Sequence, residues 1–442
     1  MTTIASSRSR ARISRRGFVA GSAAMAAAFG FGRPWRAAAQ EKVSIVWSTW
    51  GTPEELKRVQ QFDDEFMKRH PNIELKLVPI PSYDEYHPKI MTQLGAGQGP
   101  DVFYVGDDNI GKFVESGALL DLTDLVNGPD SKTRPEEFFP GLWGAAKTTD
   151  DRIFGVTNDC NPQVLWFNKP TLAAAGITDD PIALRDAGKW TWDAWSAMLD
   201  KLKAAGKHGA ILENWFADTY SLIAANGGKV YDDGKFVATE DPKSVAALKF
   251  IADGVKNKVI ENSDFLPEGQ GEDALFISGL AGFGSAGRWF LPTLKDALPA
   301  GDYDIVTWPT TTGKPIEPTG VATSFMVINK NGKHQPEAFQ FLTEFASKDG
   351  QLFRLQGGGN AVPSIQGVDQ VVSEDNLPPH SKSFLQARDT GFVWPAEETR
   401  VAGLPQDIIK GLEPLWLGQG DFDATINALG EMVNKRLAGQ SS

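Results

Sequence analysis

The chain has 442 residues, with 44 Lys and Arg against 56 Asp and Glu, which gives a formal net charge of −12. This acidity argues against a nucleic-acid-binding protein, because such proteins need a basic surface to displace counterions from phosphates. Hydrophobic residues make up 41% of the chain and charged residues 23%, a composition that excludes a disordered or collagen-like chain. The length predicts two or three domains, or one protein with two lobes.

Residues 1–39 have the pattern of an export signal. They hold seven Arg and no acidic residue, and an apolar Ala- and Gly-rich run at 17–32 precedes small residues at 37–39. Residues 14–19 resemble a twin-arginine motif, although Ala20 stands where a Lys is common. The apolar run is too short for a membrane anchor. We therefore expect a signal peptide at 1–39, its removal and a periplasmic protein, by either the twin-arginine or the general secretory route.

Cys160 is the only cysteine, which excludes an intramolecular disulfide. No Cys or His with the spacing of metal ligands accompanies it, and the sequence has no H-E-x-x-H, Walker A or G-x-S-x-G motif. We therefore predict a buried Cys160, no metal and no cofactor.

The residues that follow the signal alternate between strand and helix patterns. The predicted elements are, in chain order, a strand at 43–47, a helix from Thr52 to His70, a strand at 73–77, a helix from Ser82 toward Leu94 and a strand at 101–105. Thr52 and Glu55 have the spacing of a capping box. This βαβαβ order predicts an open, mostly parallel sheet, whose ligands bind beyond the carboxyl ends of the strands. The loops 48–51 and 106–109 are therefore the first site candidates.

The later part of the chain keeps the α/β pattern. Strands are predicted at 153–156 and 164–167 around a polar loop at 157–162, and helices at 337–346 and through 422–437. We find no internal repeat and no obvious linker, so we expect the lobes to be interleaved along the chain.

Two enzymatic alternatives arise from the sequence. The stretch from Gly282 to Gly287 matches a dinucleotide-binding fingerprint, but Pro292 stands where that fingerprint needs a helix. A carboxylate pair of a glycosidase can come from any two places in a sequence. An exported NAD(P)-dependent oxidoreductase and an exported glycosidase therefore both stay open as alternatives.

Several tryptophans lie beside Gly, Pro, Asn or acidic residues in predicted loops. Among them are Trp50, Trp215, Trp289 and Trp394. An indole ring stacks on the C–H face of a sugar while carboxylates and amides bind its hydroxyl groups. Core packing is the alternative for each ring.

Sequence motifs along most of the chain are similar to those of one family. They include Gly99-Pro100-Asp101-Val102-Phe103, Leu165-Trp166-Phe167-Asn168-Lys169, Trp190-Thr191-Trp192 and Gly287-Arg288-Trp289. In these motifs the chain resembles the extracellular solute-binding proteins of carbohydrate ABC transporters, the group that includes maltose-binding protein. The resemblance implies a type II periplasmic-binding-protein fold of two hinge-connected α/β lobes, each with a mixed, mostly parallel sheet flanked by helices. We expect the first lobe at 40–149 and 282–327, and the second at 150–281 and 328–442.

The resemblance also implies a ligand between the lobes. The positions that match the family's cleft are Tyr104, Asp107, Asp108, Asn161, Trp215, Asp218, Gly287, Arg288 and Trp289. Trp50 and Trp394 complete the candidate site. Some family members carry Arg and Glu where this chain has Asp108 and Asn161, which leaves the ligand open, and Arg288 either meets an anionic group or forms a surface ion pair.

The function implied is capture of a mono- or oligosaccharide and its delivery to ABC permease subunits in the inner membrane, by a monomer that performs no catalysis. A polyol, a glycerol phosphodiester or a polyamine is the alternative ligand of the same fold.

Overall fold

The computed structural model describes residues 42–267 and 270–440. The predicted signal peptide lies outside the described residues. The strands are β1 (Val43–Ser48), β2 (Ile73–Leu77), β3 (Val102–Gly106), β4 (Val156–Pro162), β5 (Val164–Asn168), β6 (His208–Leu212), β7 (Tyr231–Asp232), β8 (Lys235–Phe236), β9 (Ile260–Asn262), β10 (Ala281–Ala286), β11 (Tyr303–Val306) and β12 (Val321–Ile328).

The helices surround these strands. They are α1 (Pro53–Arg69), α2 (Tyr83–Gly95), α3 (Ile110–Glu115), α4 (Thr123–Asn127), α5 (Lys169–Ala174), α6 (Pro181–Asp186), α7 (Trp192–Ala204), α8 (Phe216–Ala225), α9 (Pro242–Lys256), α10 (Glu272–Ile277), α11 (Leu291–Ala297), α12 (Gln335–Ala346), α13 (Lys348–Leu355), α14 (Gln370–Ser373), α15 (Lys382–Thr390), α16 (Ala396–Thr399), α17 (Leu404–Trp416) and α18 (Phe422–Leu437). None of the described helices has the length and the apolar composition of a membrane span.

The first sheet has the strand order β2-β1-β3-β12-β4. Its first three strands pair in parallel, as the βαβαβ pattern predicts, and only β12 runs against the others. The predicted capping box at the start of α1 is present, because Thr52 Oγ1 accepts from the Glu55 N–H and the Glu55 carboxylate accepts from the Thr52 N–H. Helices α1 and α12 pack on this sheet and build one hydrophobic core.

The second sheet has the strand order β11-β5-β10-β6-β9, and here only β5 runs against the others. Helices α7, α8 and α9 contribute apolar residues to a separate core on this sheet, together with α17 and α18. We call each sheet with its own helices a lobe. The two-lobed α/β architecture with mixed, mostly parallel sheets is thus confirmed.

Two crossings connect strands of the two sheets, and a third leads from α12 in the first core to α17 in the second. The chain leaves the first sheet at Pro162 and enters the second at Val164, and it returns between Val306 and Val321. Val164 pairs with Ala286 at the carboxyl end of β10. The two strand crossings therefore join the carboxyl-end edges of the two sheets, which brings these edges next to each other.

The predicted lobe boundaries need correction at these crossings. Strands β10 and β11 were expected in the first lobe, but they pair in the second sheet. Strand β4 was expected in the second lobe and pairs with β12 in the first sheet, and α12 packs in the first core instead of the second. The sheet to which a strand belongs is decided by pairing partners that lie far away in the sequence. The residue pattern of the strand itself does not identify these partners.

The predicted polar loop at 157–162 is also wrong, because β4 spans Val156–Pro162. The polar side chains of this strand are buried and find partners there. Thr157 Oγ1 donates to the Leu142 carbonyl at 2.8 Å, and the Asp159 carboxylate accepts from Arg354 at 3.1 Å. The Cys160 thiol is buried in the same strand, as predicted.

Candidate functional site

The loops at the carboxyl ends of both sheets converge. Trp50 follows β1 and Asp107 follows β3 in the first lobe, while Glu213 follows β6 in the second. Burial is the main cause that raises the pKa of Glu213, and Asp84, in the first turn of α2, makes a smaller contribution. Asn161, in β4 of the first lobe, accepts at 2.9 Å from the N–H of Arg288, which follows β10 of the second lobe. Because these two residues belong to different lobes, the candidate site lies between the lobes.

An aromatic cluster forms the first lobe's side of the site. The Trp50 ring lies 4.9 Å from Tyr83 and 5.4 Å from Tyr104, both in edge-to-face geometry. Tyr86, which also contacts Trp50, donates from its hydroxyl to the Ser48 carbonyl at 2.9 Å. Trp50 keeps part of its ring exposed, whereas Tyr104 is buried. The structure thus brings the predicted residues Trp50 and Tyr104 together.

A second aromatic cluster lies in the second lobe. The Trp215 ring centroid is 6.1 Å from Trp289 and 6.4 Å from Trp394, again at steep angles. Trp394 is buried and stacks on Phe216 at 4.3 Å. Trp215 and Trp289 are only partly buried. These two rings therefore remain available to a ligand, while the buried Trp394 packs against Trp215.

Three carboxyl groups accompany the second cluster. Asp218 is fully buried and accepts from the Glu213 N–H at 2.7 Å, from Ser285 Oγ at 2.8 Å and from the Trp215 indole N–H at 3.2 Å. Glu272 Oε1 is a buried atom without a hydrogen-bond partner. Burial raises the pKa of Glu213, Asp218 and Glu272, and their mutual repulsion raises the pKa of Glu213 and Glu272 further.

The two predicted acids after β3 have different surroundings. Asp107 is buried, and its Oδ2 accepts from the Thr323 N–H at 2.8 Å. Burial raises the pKa of Asp107 to about 8, with a smaller contribution from the neighbouring Asp108. The Asp108 carboxylate accepts from the Tyr83 hydroxyl at 2.5 Å and from Gln406 Nε2 at 3.1 Å. Both acids are therefore bound by protein groups.

The remaining predicted residues lie at the crossing between the lobes. Asn161 Oδ1 accepts from the Arg288 N–H at 2.9 Å. A Cβ atom on Gly287 would lie 2.2 Å from the Trp289 ring and 2.7 Å from Asn161, so only glycine allows this close approach. Asn161 keeps part of its surface exposed, and it lies beside the Trp289 ring.

Arg288 has a different role from the one predicted. Its side chain is fully buried, and its guanidinium donates to the carbonyls of Ala361 at 3.0 Å and Val371 at 3.3 Å. Burial lowers the pKa of Arg288 to about 10. The side chain is neither a surface ion pair nor directed to an anionic ligand, because it is fully buried and its Nη1 and Nη2 atoms both donate to backbone carbonyls.

Apart from Trp394, the residues of the candidate site lie within a segment that matches a known family. Residues 50–352, more than half of the chain, match the family model of the bacterial extracellular solute-binding proteins. The chain belongs to this family.

Three relatives are similar in sequence to this solute-binding protein. The maltotriose-binding protein of Pyrococcus abyssi is 21% identical over 89% of this chain and 82% of its own length. The diacetylchitobiose binding protein DasA of Streptomyces coelicolor is 27% identical over 82% of each chain. An uncharacterized lipoprotein of Streptomyces antibioticus is 24% identical, and the match spans 43% of this chain and 40% of that protein.

Solved structures share the fold. An ABC substrate-binding protein of Listeria monocytogenes in complex with cycloalternan superposes with a TM-score of 0.77 at 20% identity, over 90% of this chain and 100% of that chain. UgpB of Mycobacterium tuberculosis in complex with glycerophosphocholine has a TM-score of 0.76 at 18% identity, over 90% of this chain and 98% of that chain. At these identities the likeness shows the fold alone.

Sequence reasoning missed four residues of this solute-binding protein's candidate site. They are Tyr83, Asp84, Glu213 and Glu272. A signal for Glu213 existed, because it directly follows β6 and the rule about carboxyl ends would have selected it. No such signal existed for Glu272, because this residue lies in α10 and does not follow a strand. Its side chain reaches the site past Gly284, where a Cβ atom would lie 2.3 Å from Glu272 Oε1.

The Gly282–Gly287 fingerprint is not a phosphate-binding turn in this solute-binding protein. Its first five residues belong to the buried strand β10. A helix does follow, contrary to the sequence argument, because Pro292 occupies the first turn of α11. The glycines instead allow close packing, as at Gly282, where a Cβ atom would lie 2.3 Å from Leu202.

Proposed function

We propose that the protein captures a mono- or oligosaccharide between its lobes and delivers it to an ABC permease. The observation that carries this proposal is the pair of aromatic surfaces at the facing carboxyl-end edges, with Trp50 in one lobe and Trp215 and Trp289 in the other. Indole rings stack on the apolar faces of sugars, and nearby carboxyl and amide groups hydrogen-bond the hydroxyls. Ligand contacts with both lobes would favour the closed form.

The polar groups around the site favour a sugar over an anionic solute. Glu213 and Glu272 are acids, and Arg288 is buried with its Nη atoms donating to backbone carbonyls. Among the candidate-site residues described above, none offers a glycerol phosphodiester a cationic partner, whether the carboxyl groups are neutral or ionised, and this disfavours the alternative.

The same carboxyl groups make a polyamine the second candidate ligand, because they are acids without a basic partner. Burial raises the pKa of Glu213 and Glu272 well above the ordinary value for Glu, and this favours the neutral form of each group over the carboxylate. A neutral carboxyl group does not attract an ammonium group as a carboxylate does, but it both donates and accepts hydrogen bonds, as sugar hydroxyls require. We therefore favour the sugar.

The remaining elements of the proposal concern location and chemistry. We propose an exported, periplasmic monomer whose signal peptide is removed, and a binding function without turnover. The extracellular family and the lipoprotein relative support export. Release of a chemically changed sugar would point to the glycosidase alternative.

A thermal-shift screen tests the proposal. The purified protein is unfolded and refolded to remove carried ligand, and is then mixed with maltotriose, diacetylchitobiose, a polyol, glycerophosphocholine or spermidine. A ligand at 100 times its dissociation constant should add about 2.7 kcal/mol to the free energy of unfolding. Stabilisation by a sugar that chromatography recovers unchanged is the expected result. Stabilisation by spermidine or glycerophosphocholine alone, or consumption of the sugar, would contradict the proposal.

A further inference from the structure

The segment from Trp394 to Asp407 is attached firmly to the second lobe. We call it the clasp. Trp394 stacks on Phe216 at 4.3 Å, and the Glu398 carboxylate accepts from the Tyr220 hydroxyl at 2.6 Å. Leu404 is buried in the second lobe's core. The clasp therefore moves with the second lobe.

The clasp also contacts the first lobe directly. Gln406 Nε2 lies 3.1 Å from both the carbonyl oxygen and Oδ2 of Asp108, and the Arg400 guanidinium donates to the Lys147 carbonyl at 3.3 Å. At Gly111 in α3, a Cβ atom would lie 2.1 Å from the Thr399 carbonyl oxygen. The two lobes thus meet at a hydrogen-bonded and closely packed contact.

Electrostatics supports the same contact. Asp407, in the clasp, and Asp108 both act on Lys112 of α3 and favour its charged form, although burial lowers its pKa overall. The Asp108 carboxylate receives hydrogen bonds from Tyr83 and Asn109 in addition to Gln406. These donors hold Asp108 in position for the clasp, so its carboxylate serves the contact between the lobes.

The geometry points to a conformational device: the clasp holds the two lobes closed without a ligand, through Gln406 on Asp108 and Thr399 on Gly111. Both ends of the clasp lie near ligand-facing rings. At one end, the Trp394 ring lies 6.4 Å from Trp215. At the other end, Gln406 contacts Asp108, whose hydrogen-bond partner Tyr83 lies 4.9 Å from Trp50. The clasp therefore sets the fraction of unliganded molecules that are closed. A smaller closed fraction weakens the apparent affinity for any ligand of the closed form in the same proportion.

Small-angle X-ray scattering of the unliganded protein tests this device. The variants are Gln406→Ala, which removes the hydrogen bonds, and Gly111→Ala, which places a methyl group against the Thr399 carbonyl. The matched controls are Lys410→Ala, an exposed residue of the same helix as Gln406, and Gly95→Ala, where a Cβ atom has no neighbour within 4 Å. We expect a larger radius of gyration for the two clasp variants and the wild-type value for the controls.

Equal radii for the wild type and the Gln406→Ala variant would overturn the proposal. Gln406 lies at the surface contact, so this variant keeps the test decisive even if Gly111→Ala does not fold. With maltotriose as the probe, we further expect Gln406→Ala to raise Kd about fivefold, the equivalent of one lost hydrogen bond. Because the scattering experiment needs no ligand, its result stands whether or not the protein binds sugars.

Discussion

Asp63 is a carboxyl group in the core of the first lobe. It is fully buried, its Oδ2 accepts from the Trp47 indole N–H at 2.8 Å, and its Oδ1 has no partner. Burial raises its pKa from 3.8 to about 8. Folding at neutral pH therefore requires this carboxyl group to take up a proton.

This proton uptake predicts a pH dependence of stability. Between pH 3.8 and about 8 the folded state holds the proton of Asp63 and the unfolded state does not, so the free energy of unfolding falls as the pH rises. Relative to Asp63→Asn, we expect the wild type to lose about 1 kcal/mol per pH unit over this range. Urea denaturation at pH 5, 6 and 7 measures the difference.

An exposed acidic residue of the same helix supplies the control for this prediction. Glu54→Gln should leave the pH profile of the wild type unchanged, because Glu54 is exposed and is not among the groups that shift the pKa of Asp63. Parallel profiles of the wild type and Asp63→Asn would show that Asp63 is ionised in the folded protein.

Arg288 shows why single residues of the site were hard to predict. The sequence places Arg288 beside Gly287 and Trp289, both near the site, but its side-chain partners are carbonyls at Leu355, Ala361 and Val371. Such partners follow from the tertiary packing, which a local motif does not encode. Asn161 and Trp289, by contrast, lie beside each other, and the family resemblance had assigned both to the cleft.

Helix α1 shows how local sequence determines an element. The N-cap Thr52 accepts through Oγ1 from the Glu55 N–H at 3.4 Å. The Glu55 carboxylate in turn accepts from the Thr52 N–H at 2.7 Å. Asn360 also donates to this carboxylate at 2.9 Å. The cap thus fixes the start of the helix beside the Trp50 loop.

Removal of this cap should destabilise the protein. We expect Thr52→Ala to lower the free energy of unfolding by about 1 kcal/mol, because the Glu55 N–H loses its acceptor. Thr52→Ser keeps a hydroxyl group and should retain most of the stability. Denaturant titration of both variants measures the effect, and equal losses in the two would show that the hydroxyl group does not cap the helix.

Elements with local signals were predictable, and elements decided by distant partners were not. The capped α1, the amphipathic α18 and the strands β1 to β3 follow from periodicity and caps. Strand β4 is polar in sequence, and partners far away in the chain, such as Leu142, Ser324 and Arg354, make burial of its side chains possible. Because residues 157–162 are polar, the sequence alone predicted a loop there.

The interleaving of the two lobes along the chain explains both the position of the cleft and the errors in the predicted lobe boundaries. Each sheet contains one reversed strand, β12 in the first and β5 in the second, and these strands begin at the crossings. The crossings join the carboxyl-end edges, so the residues that follow β1, β3, β6 and β10 face one another. The rule that ligands bind beyond the carboxyl ends of the strands predicted the region of the candidate site. The sequence did not show which strand belongs to which sheet.

The proposed function requires that both lobes bind one sugar through aromatic rings. Isothermal titration calorimetry of Trp50→Ala and Trp215→Ala, with the panel sugar that stabilises the protein most, measures the contribution of each lobe. The control is Trp192→Ala, which removes a partly buried ring that stacks on Phe250. We predict at least about fivefold weaker binding for each cleft variant, as a lost anchor costs more than about 1 kcal/mol, and wild-type affinity for the control. Unchanged affinity in either cleft variant would contradict a site shared by the two lobes.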